Sequence, residues 1–182
     1  MKVYDTNLIF ELTENFCKIV EKYCDYVIIS GLTAIASGRT RGTEDIDILL
    51  PRLSKEKFVA LHKELSNNFE VIETDDIDEM YERLMKDNSN IRYVKKETIV
   101  PNMEVKFAKD ELDLISLDER KKYAFSDCDV FFAPIEATIA FKETLLTSEK
   151  DKEDARHLRV TFDELLNEEK INQFKELIGR LR

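Results

Sequence analysis

Two aspartates one residue apart, Asp45 and Asp47, follow the stretch where the chain's few glycines gather. Of 4 glycines in 182 residues, Gly31, Gly38 and Gly42 all fall between positions 31 and 42. Tyr26-Val27-Ile28-Ile29-Ser30 is a β-branched run ending at Gly31, and it reads as a buried strand passing directly into a short helix over 31–37. The first turn of a helix carries unpaired N–H groups at the positive end of its dipole, which suits a phosphate. Gly31 would let that phosphate approach the backbone, and Ser30 adds an N–H and a hydroxyl. After a turn over 38–44 the chain returns as a strand over 45–50, closed by Pro51. Positions two apart on a strand share a face, so Asp45 and Asp47 point together while Ile46 and Ile48 point into a core. Neighbouring carboxylates repel unless a cation lies between them, and Mg²⁺ commonly shares one or two carboxylates with substrate phosphates. One short unit thus offers a phosphate seat and a metal seat.

The surrounding pattern supplies elements to hold that unit. Leu8, Ile9, Leu12, Phe16, Ile19, Val20 and Tyr23 recur at helical spacing over 7–24. Helices are expected from Ser54, with Phe58, Leu61 and Leu65 on one face, and over 76–86; strands are expected at 69–72, 91–95, 103–107, 112–116 and 130–133. From Pro134 the chain reads as three helices, 135–147, 149–166 and 168–181. No linker rich in Gly, Ser or Pro interrupts it. The expected fold class is α/β (α+β), a mixed β-sheet flanked by helices over 1–133, with a C-terminal helical part over 134–182 packed on it. Asp75-Asp76-Ile77-Asp78 repeats the acidic pattern without a glycine turn before it and reads as the cap of a helix.

Composition narrows the partners. Lys+Arg total 28 against 38 Asp+Glu, a net charge of −10, which argues against a coat of basic residues for non-specific nucleic-acid binding. A local patch remains open: Arg39, Arg41, Lys95, Lys96, Arg120, Lys121 and Lys122 would form one if they converged. No apolar run approaches the ~20 residues of a membrane span. The start, Met1-Lys2-Val3-Tyr4-Asp5, does not resemble a secretory signal, and Cys17, Cys24 and Cys128 read as reduced core thiols of a cytoplasmic protein.

The glycine-aspartate unit resembles that of the nucleotidyltransferase superfamily, the DNA polymerase β-like fold, whose signature is Gly-Gly or Gly-Ser at a strand-to-helix turn followed by Asp-hydrophobic-Asp in the next strand. More closely, Arg41, Thr43, Asp45 and Asp47 match the Arg-x-Thr-x-Asp-hydrophobic-Asp motif of the small prokaryotic AbiEii/toxin-type enzymes. Ser30 departs from it, standing where relatives often carry a first glycine. The resemblance is strong over 26–50 and loose elsewhere.

The resemblance implies a third acid on a neighbouring strand. In Met103-Glu104-Val105-Lys106-Phe107, Glu104 and Lys106 share one face, and Glu104 is the expected ligand, with Asp113 as the alternative. Lys150-Asp151-x-x-Asp154 resembles the Lys-Asp-x-x-Asp element of the same enzymes, and Lys142 matches the lysine they carry one helix earlier. From pattern alone Lys142 falls on an apolar stripe, and either its stem passes the core edge to water or its ammonium reaches a cleft. Ser148 with Asp151 also fits a capping box, and Lys150, Asp154 and His157 share a helix face as a surface pair with a histidine beside it. His157 and His62 read as ordinary helix residues.

Taken together, the resemblance implies a Mg²⁺-dependent nucleotidyltransferase with one or two ions on Asp45, Asp47 and Glu104, which are also the catalytic residues. The NTP would lie against Ser30, Gly31, Arg39, Arg41, Thr43, Lys142, Lys150 and Asp154. The acceptor hydroxyl would belong to an RNA such as tRNA, a protein or a small molecule, with a cognate partner protein if the enzyme is toxin-like. A non-catalytic nucleotide- or partner-binding module on the same fold is the alternative.

Overall fold

The computed structural model describes residues 6–86, 89–123, 128–146 and 148–181. Five strands, β1 (Val27–Ile29), β2 (Asp45–Leu50), β3 (Phe69–Val71), β4 (Ile91–Lys95) and β5 (Asn102–Phe107), form one sheet in the order β1-β2-β5-β4-β3. Neighbours are antiparallel except β2 and β5, which run parallel. A parallel pair needs a crossover, and everything from α3 to β4 supplies it.

Helices α1 (Thr6–Val20), α2 (Gly31–Ala36), α3 (Lys55–Leu65) and α4 (Ile77–Met85) cover the face of the sheet that carries Ile46, Ile48, Leu50, Met103, Val105 and Phe107. Phe16 of α1 meets the Phe69 ring edge-on at 5.0 Å in that core. The opposite face carries a small apolar cluster of Val27, Leu49, Ala108, Leu117 and Ala133. Beside it, α6 (Ile135–Thr144), α7 (Glu149–Thr161) and α8 (Glu168–Leu181) build their own core with Leu112 of α5 (Glu111–Asp118). No helix among the described residues is long and apolar enough to cross a membrane.

Several expectations change. Residues 112–116, read as a strand, lie in α5: Asp110 caps it by accepting from the Asp113 N–H at 3.1 Å, so acidic helix-start chemistry decides this segment. The strand read over 130–133 reduces to Phe132, bridged to Ile28 on one side and Lys121 on the other. Helix α7 ends at Thr161 and a 3₁₀ turn follows over Asp163–Leu165; position 147 lies outside the described residues. Cys17 is buried, whereas Cys24 falls past the end of α1 and is half-buried. Asp76 caps α4 as expected, accepting from Asp78 and Glu79 N–H groups.

The turn from β1 into α2 departs from ordinary backbone at Ser30, where φ is 67° and ψ −131°. A residue with a Cβ rarely adopts this region, and one held there stores strain. Ser30→Gly should therefore raise folding stability by roughly 1 kcal/mol, after the greater freedom of glycine in the unfolded chain is subtracted. Urea denaturation of the two proteins measures it; a loss of stability would mean that the serine side chain holds the turn.

Candidate active site

The parallel register sets the acids side by side. Asp45 pairs with Asn102 and Asp47 with Glu104, so all four side chains lie on the sheet face opposite the α1–α4 core. Asn102 donates from Nδ2 to Asp45 Oδ1 at 2.8 Å and to the Glu44 carbonyl at 3.2 Å, which fixes Asp45 at the head of the row. Lys106, two residues beyond Glu104, places its ammonium 2.9 Å from Asp47 Oδ1 and 2.7 Å from Glu104 Oε1. Burial alone would lower the Lys106 pKa, but Asp47 and Glu104 outweigh it and the value is raised. Arg92, opposite Glu104 on β4, pairs with Glu73 at 2.7 Å. Among the described residues no group of three or more His, Cys, Asp or Glu side chains is drawn together tightly enough to hold a metal. Asp45, Asp47 and Glu104 thus share one face, with the Lys106 ammonium between two of them and the Asn102 amide on the third.

A second charged cluster lies where α7 meets the turn into β2. Asp154 is fully buried, and its carboxylate binds Arg39, Arg41 and Lys142. Arg41 grips it from two nitrogens, Nε to Oδ1 and Nη2 to Oδ2, each at 3.0 Å. Lys142, also buried, donates to Asp154 Oδ2 at 2.8 Å and to Asp151 Oδ1 at 2.9 Å. Of the two positions read from the pattern for Lys142, water at the core edge does not hold: the side chain is buried, borders a cavity, and pairs its ammonium with carboxylates of the next helix. The surface Lys150–Asp154 pair is likewise absent: Asp154 turns inward, and the Lys150 carbonyl accepts from Arg39 Nη1 at 3.0 Å. Ser148 caps α7 as expected, with Asp151 N–H donating to it at 3.2 Å. His157 binds the Ser37 carbonyl and hydroxyl, each at 3.2 Å, and so pins α7 to the end of α2.

Arg41 also accounts for Gly31. A Cβ on Gly31 would lie 2.2 Å from Arg41 Nη2 and 3.2 Å from its Cζ, so the guanidinium rests on the bare α-carbon at the strand-to-helix turn. Burial, then the neighbouring Arg39, pushes the Arg41 pKa down to about 10. Burial and then Arg41 lower the Lys150 pKa, while Asp151 and Asp45 act in the opposite direction. Thr43 is buried, and its hydroxyl donates to the Asp45 carbonyl at 2.8 Å, shaping the entry to β2.

A cavity of about 310 Å³ opens beside these groups, between the sheet, α5 and α6. Ser30, Lys106 and Lys142 border it, Leu49, Leu112 and Phe141 line its apolar walls, and Asp113 lies in it. Asp113 sits on a helix, where burial raises its pKa, and its carboxylate accepts from the Lys109 N–H at 3.0 Å. The basic patch does not assemble. Lys95 pairs with β3 at one edge of the sheet, whereas Lys121 bridges to Phe132 beside β1 at the other, and Arg120 and Lys122 are committed to Asp25 and Asp129.

No family model and no curated protein sequence matches the chain. Solved structures do. The antibiotic-resistance factor ANT(2'')-Ia aligns in solution with a TM-score of 0.59 and 16% identity over 97% of this chain and 94% of its own. Its crystal structure in complex with adenylyl-2''-tobramycin gives 0.58 and 16% over 96% and 99%. An antigenic nucleotidyltransferase-like protein from Paracoccidioides brasiliensis gives 0.53 and 14% over 97% and 88%. The chain has a nucleotidyltransferase-type fold. At these identities the likeness is one of architecture, and it spans nearly the whole length of both ANT(2'')-Ia structures.

Lys106 and Asn102 were missed as site residues. Lys106 carried a signal, its shared face with Glu104, but its second partner, Asp47, depends on a register that sequence does not give. The buried cluster yields a stability test. Asp154→Ala leaves Arg39 and Arg41 without their carboxylate and Lys142 with Asp151 alone, and should cost about 3–5 kcal/mol. Lys142→Met should cost less, since Asp154 keeps both arginines. Urea denaturation separates them; equal costs would mean that the helix packing, rather than the carboxylate, holds this junction.

Proposed function

We propose that this protein is a cytoplasmic Mg²⁺-dependent nucleotidyltransferase that moves a nucleoside monophosphate from an NTP to an acceptor hydroxyl. The observation that carries the reading is the pairing of Asp47 with Glu104 across the parallel strands, with a positive charge already held between them. A site that binds an ammonium between two carboxylates has the charge and the hard oxygen donors that Mg²⁺ prefers, and Asp45 adds a third carboxylate on the same face. Asp47 and Glu104, with Asp45 beside them on the same face, would be the residues to hold the metal that the motif's resemblance implies once the Lys106 ammonium moves aside. When bound there, the metal supplies activation of the acceptor hydroxyl and neutralisation of charge on the leaving pyrophosphate.

The remaining work falls to the chain's own side chains. The Ser30–Gly31 turn offers its N–H groups to the triphosphate, and Arg41, resting on Gly31, supplies positive charge at the same place. Arg39 and Lys150 extend that charge along the entry to β2. Asp154 and Lys142 are buried and act through Arg39 and Arg41, so they position nucleotide-binding groups, and Thr43 does the same for the β2 backbone. Glu104, once released from Lys106, would also accept the acceptor's proton. The AbiEii/toxin-type comparison rests on Arg41, Thr43, Asp45, Asp47 and Lys150-Asp151-x-x-Asp154, and with it stands the idea of a tRNA or protein acceptor and a cognate partner. ANT(2'')-Ia, in complex with adenylyl-2''-tobramycin, illustrates a small-molecule acceptor on the same fold.

One substitution separates this reading from a binding module. Asp47→Asn removes one partly exposed ion pair, so its ligand-free stability should stay within about 1 kcal/mol of wild type. Its thermal shift with Mg²⁺ plus NTP should vanish, and transfer should fall by more than roughly a hundredfold. Melting curves with and without ligand, beside a transfer assay, test both. If the variant unfolds without ligand, Asp47 is structural. If wild type shows the shift yet modifies no acceptor, the non-catalytic module is the better reading.

A further inference from the structure

The ammonium of Lys106 stands where a divalent cation would be held, and its side chain also borders the cavity shared with Ser30 and Lys142. We propose that Lys106 serves two exclusive partners. In the metal-free protein it is the counter-ion of Asp47 and Glu104; when a divalent cation takes those carboxylates, the ammonium is released toward the cavity mouth and binds a phosphate of the nucleotide. Lys106 thereby couples metal binding to triphosphate binding. The proposal rests on the nucleotidyltransferase reading of the site and assigns to it a group that neither the acid row nor the Ser30–Gly31 turn includes.

Three observations carry it. Asp47 and Glu104 are register partners, so their repulsion must be offset in the absence of metal, and Lys106 is the cation within hydrogen-bond distance of both. The Lys106 side chain keeps about a third of its surface exposed (34%), so its head group has an open side through which to leave. Its place on β5 is opposite Leu49, whose side chain lines the same cavity, which sets the lysine stem between the acid row and that cavity. A lysine suits such an exchange because its ammonium is a compact charge on a flexible stem, whereas an arginine fork would hold its carboxylates more rigidly. By linkage, a cation that frees Lys106 strengthens phosphate binding, and bound phosphate strengthens cation binding by the same factor.

The test uses Mn²⁺ alone and inorganic tripolyphosphate, which needs no base preference, on the full chain. Mn²⁺ affinity is measured by titration calorimetry, and tripolyphosphate binding by thermal shift with and without Mg²⁺. Lys106→Met should bind Mn²⁺ roughly tenfold more tightly than wild type, because no ammonium has to be displaced. It should also lose most of the Mg²⁺-dependent gain in tripolyphosphate binding. Lys106→Arg keeps the charge and the fold, so it controls for damage: it should bind Mn²⁺ no more tightly than wild type. If Lys106→Met is folded, and its Mn²⁺ affinity and Mg²⁺-dependent gain both equal those of wild type, Lys106 is a surface ion pair and the proposal fails while the site reading stands. If wild type binds neither Mn²⁺ nor tripolyphosphate, the site reading fails and this proposal with it.

Discussion

The junction between the sheet and the C-terminal helices depends on one buried carboxylate. Asp154 has no exposed surface, and its two oxygens are shared among Arg39, Arg41 and Lys142. Removing such a group from water is costly, and only several well-placed cations offset that cost. The consequence is geometric. Because Asp154 holds Arg41 from two nitrogens, the guanidinium has one resting place, against the bare α-carbon of Gly31. A helix near the end of the chain thus decides where a charge stands at the first strand-to-helix turn.

The acid row depends on a different constraint, the parallel pairing of β2 with β5. Had β5 slipped by one residue against β2, Glu104 would have turned into the apolar core and Met103 outward. The apolar residues Ile46, Ile48, Met103 and Val105 prevent that slip by filling the core on the other face. Core packing therefore fixes the distance between Asp47 and Glu104 before any ligand arrives, and Lys106 neutralises what the register brings together.

Much of this was legible in the sequence where the signal was local. The alternation over 45–50 and 103–107 gave the shared acid face, and Ser148 and Asp76 gave their caps. Ser30 stands at positive φ, a conformation that suits glycine, which no local pattern announced. Residues 112–116 misled because Asp113 stands between Leu112 and Leu114, as on a half-buried strand, while the deciding feature was the cap at Asp110. Asp154 misled for a related reason. Its i, i+4 neighbour Lys150 suggested a surface pair, whereas its real partners Arg39 and Arg41 are more than a hundred positions away. Long-range ion pairs leave no periodic trace, so the burial of Asp154 was not readable.

The most direct measurement follows the phosphorus. The protein is incubated with Mg²⁺ and each NTP labelled at either its α- or its γ-phosphate, with RNA, protein and small hydroxylated acceptors in turn. Nucleotidyl transfer requires that the α-label pass to an acceptor while the γ-label leaves in pyrophosphate. Transfer of the γ-label, or no transfer of either label to any acceptor by a protein that binds the nucleotide, would contradict the account.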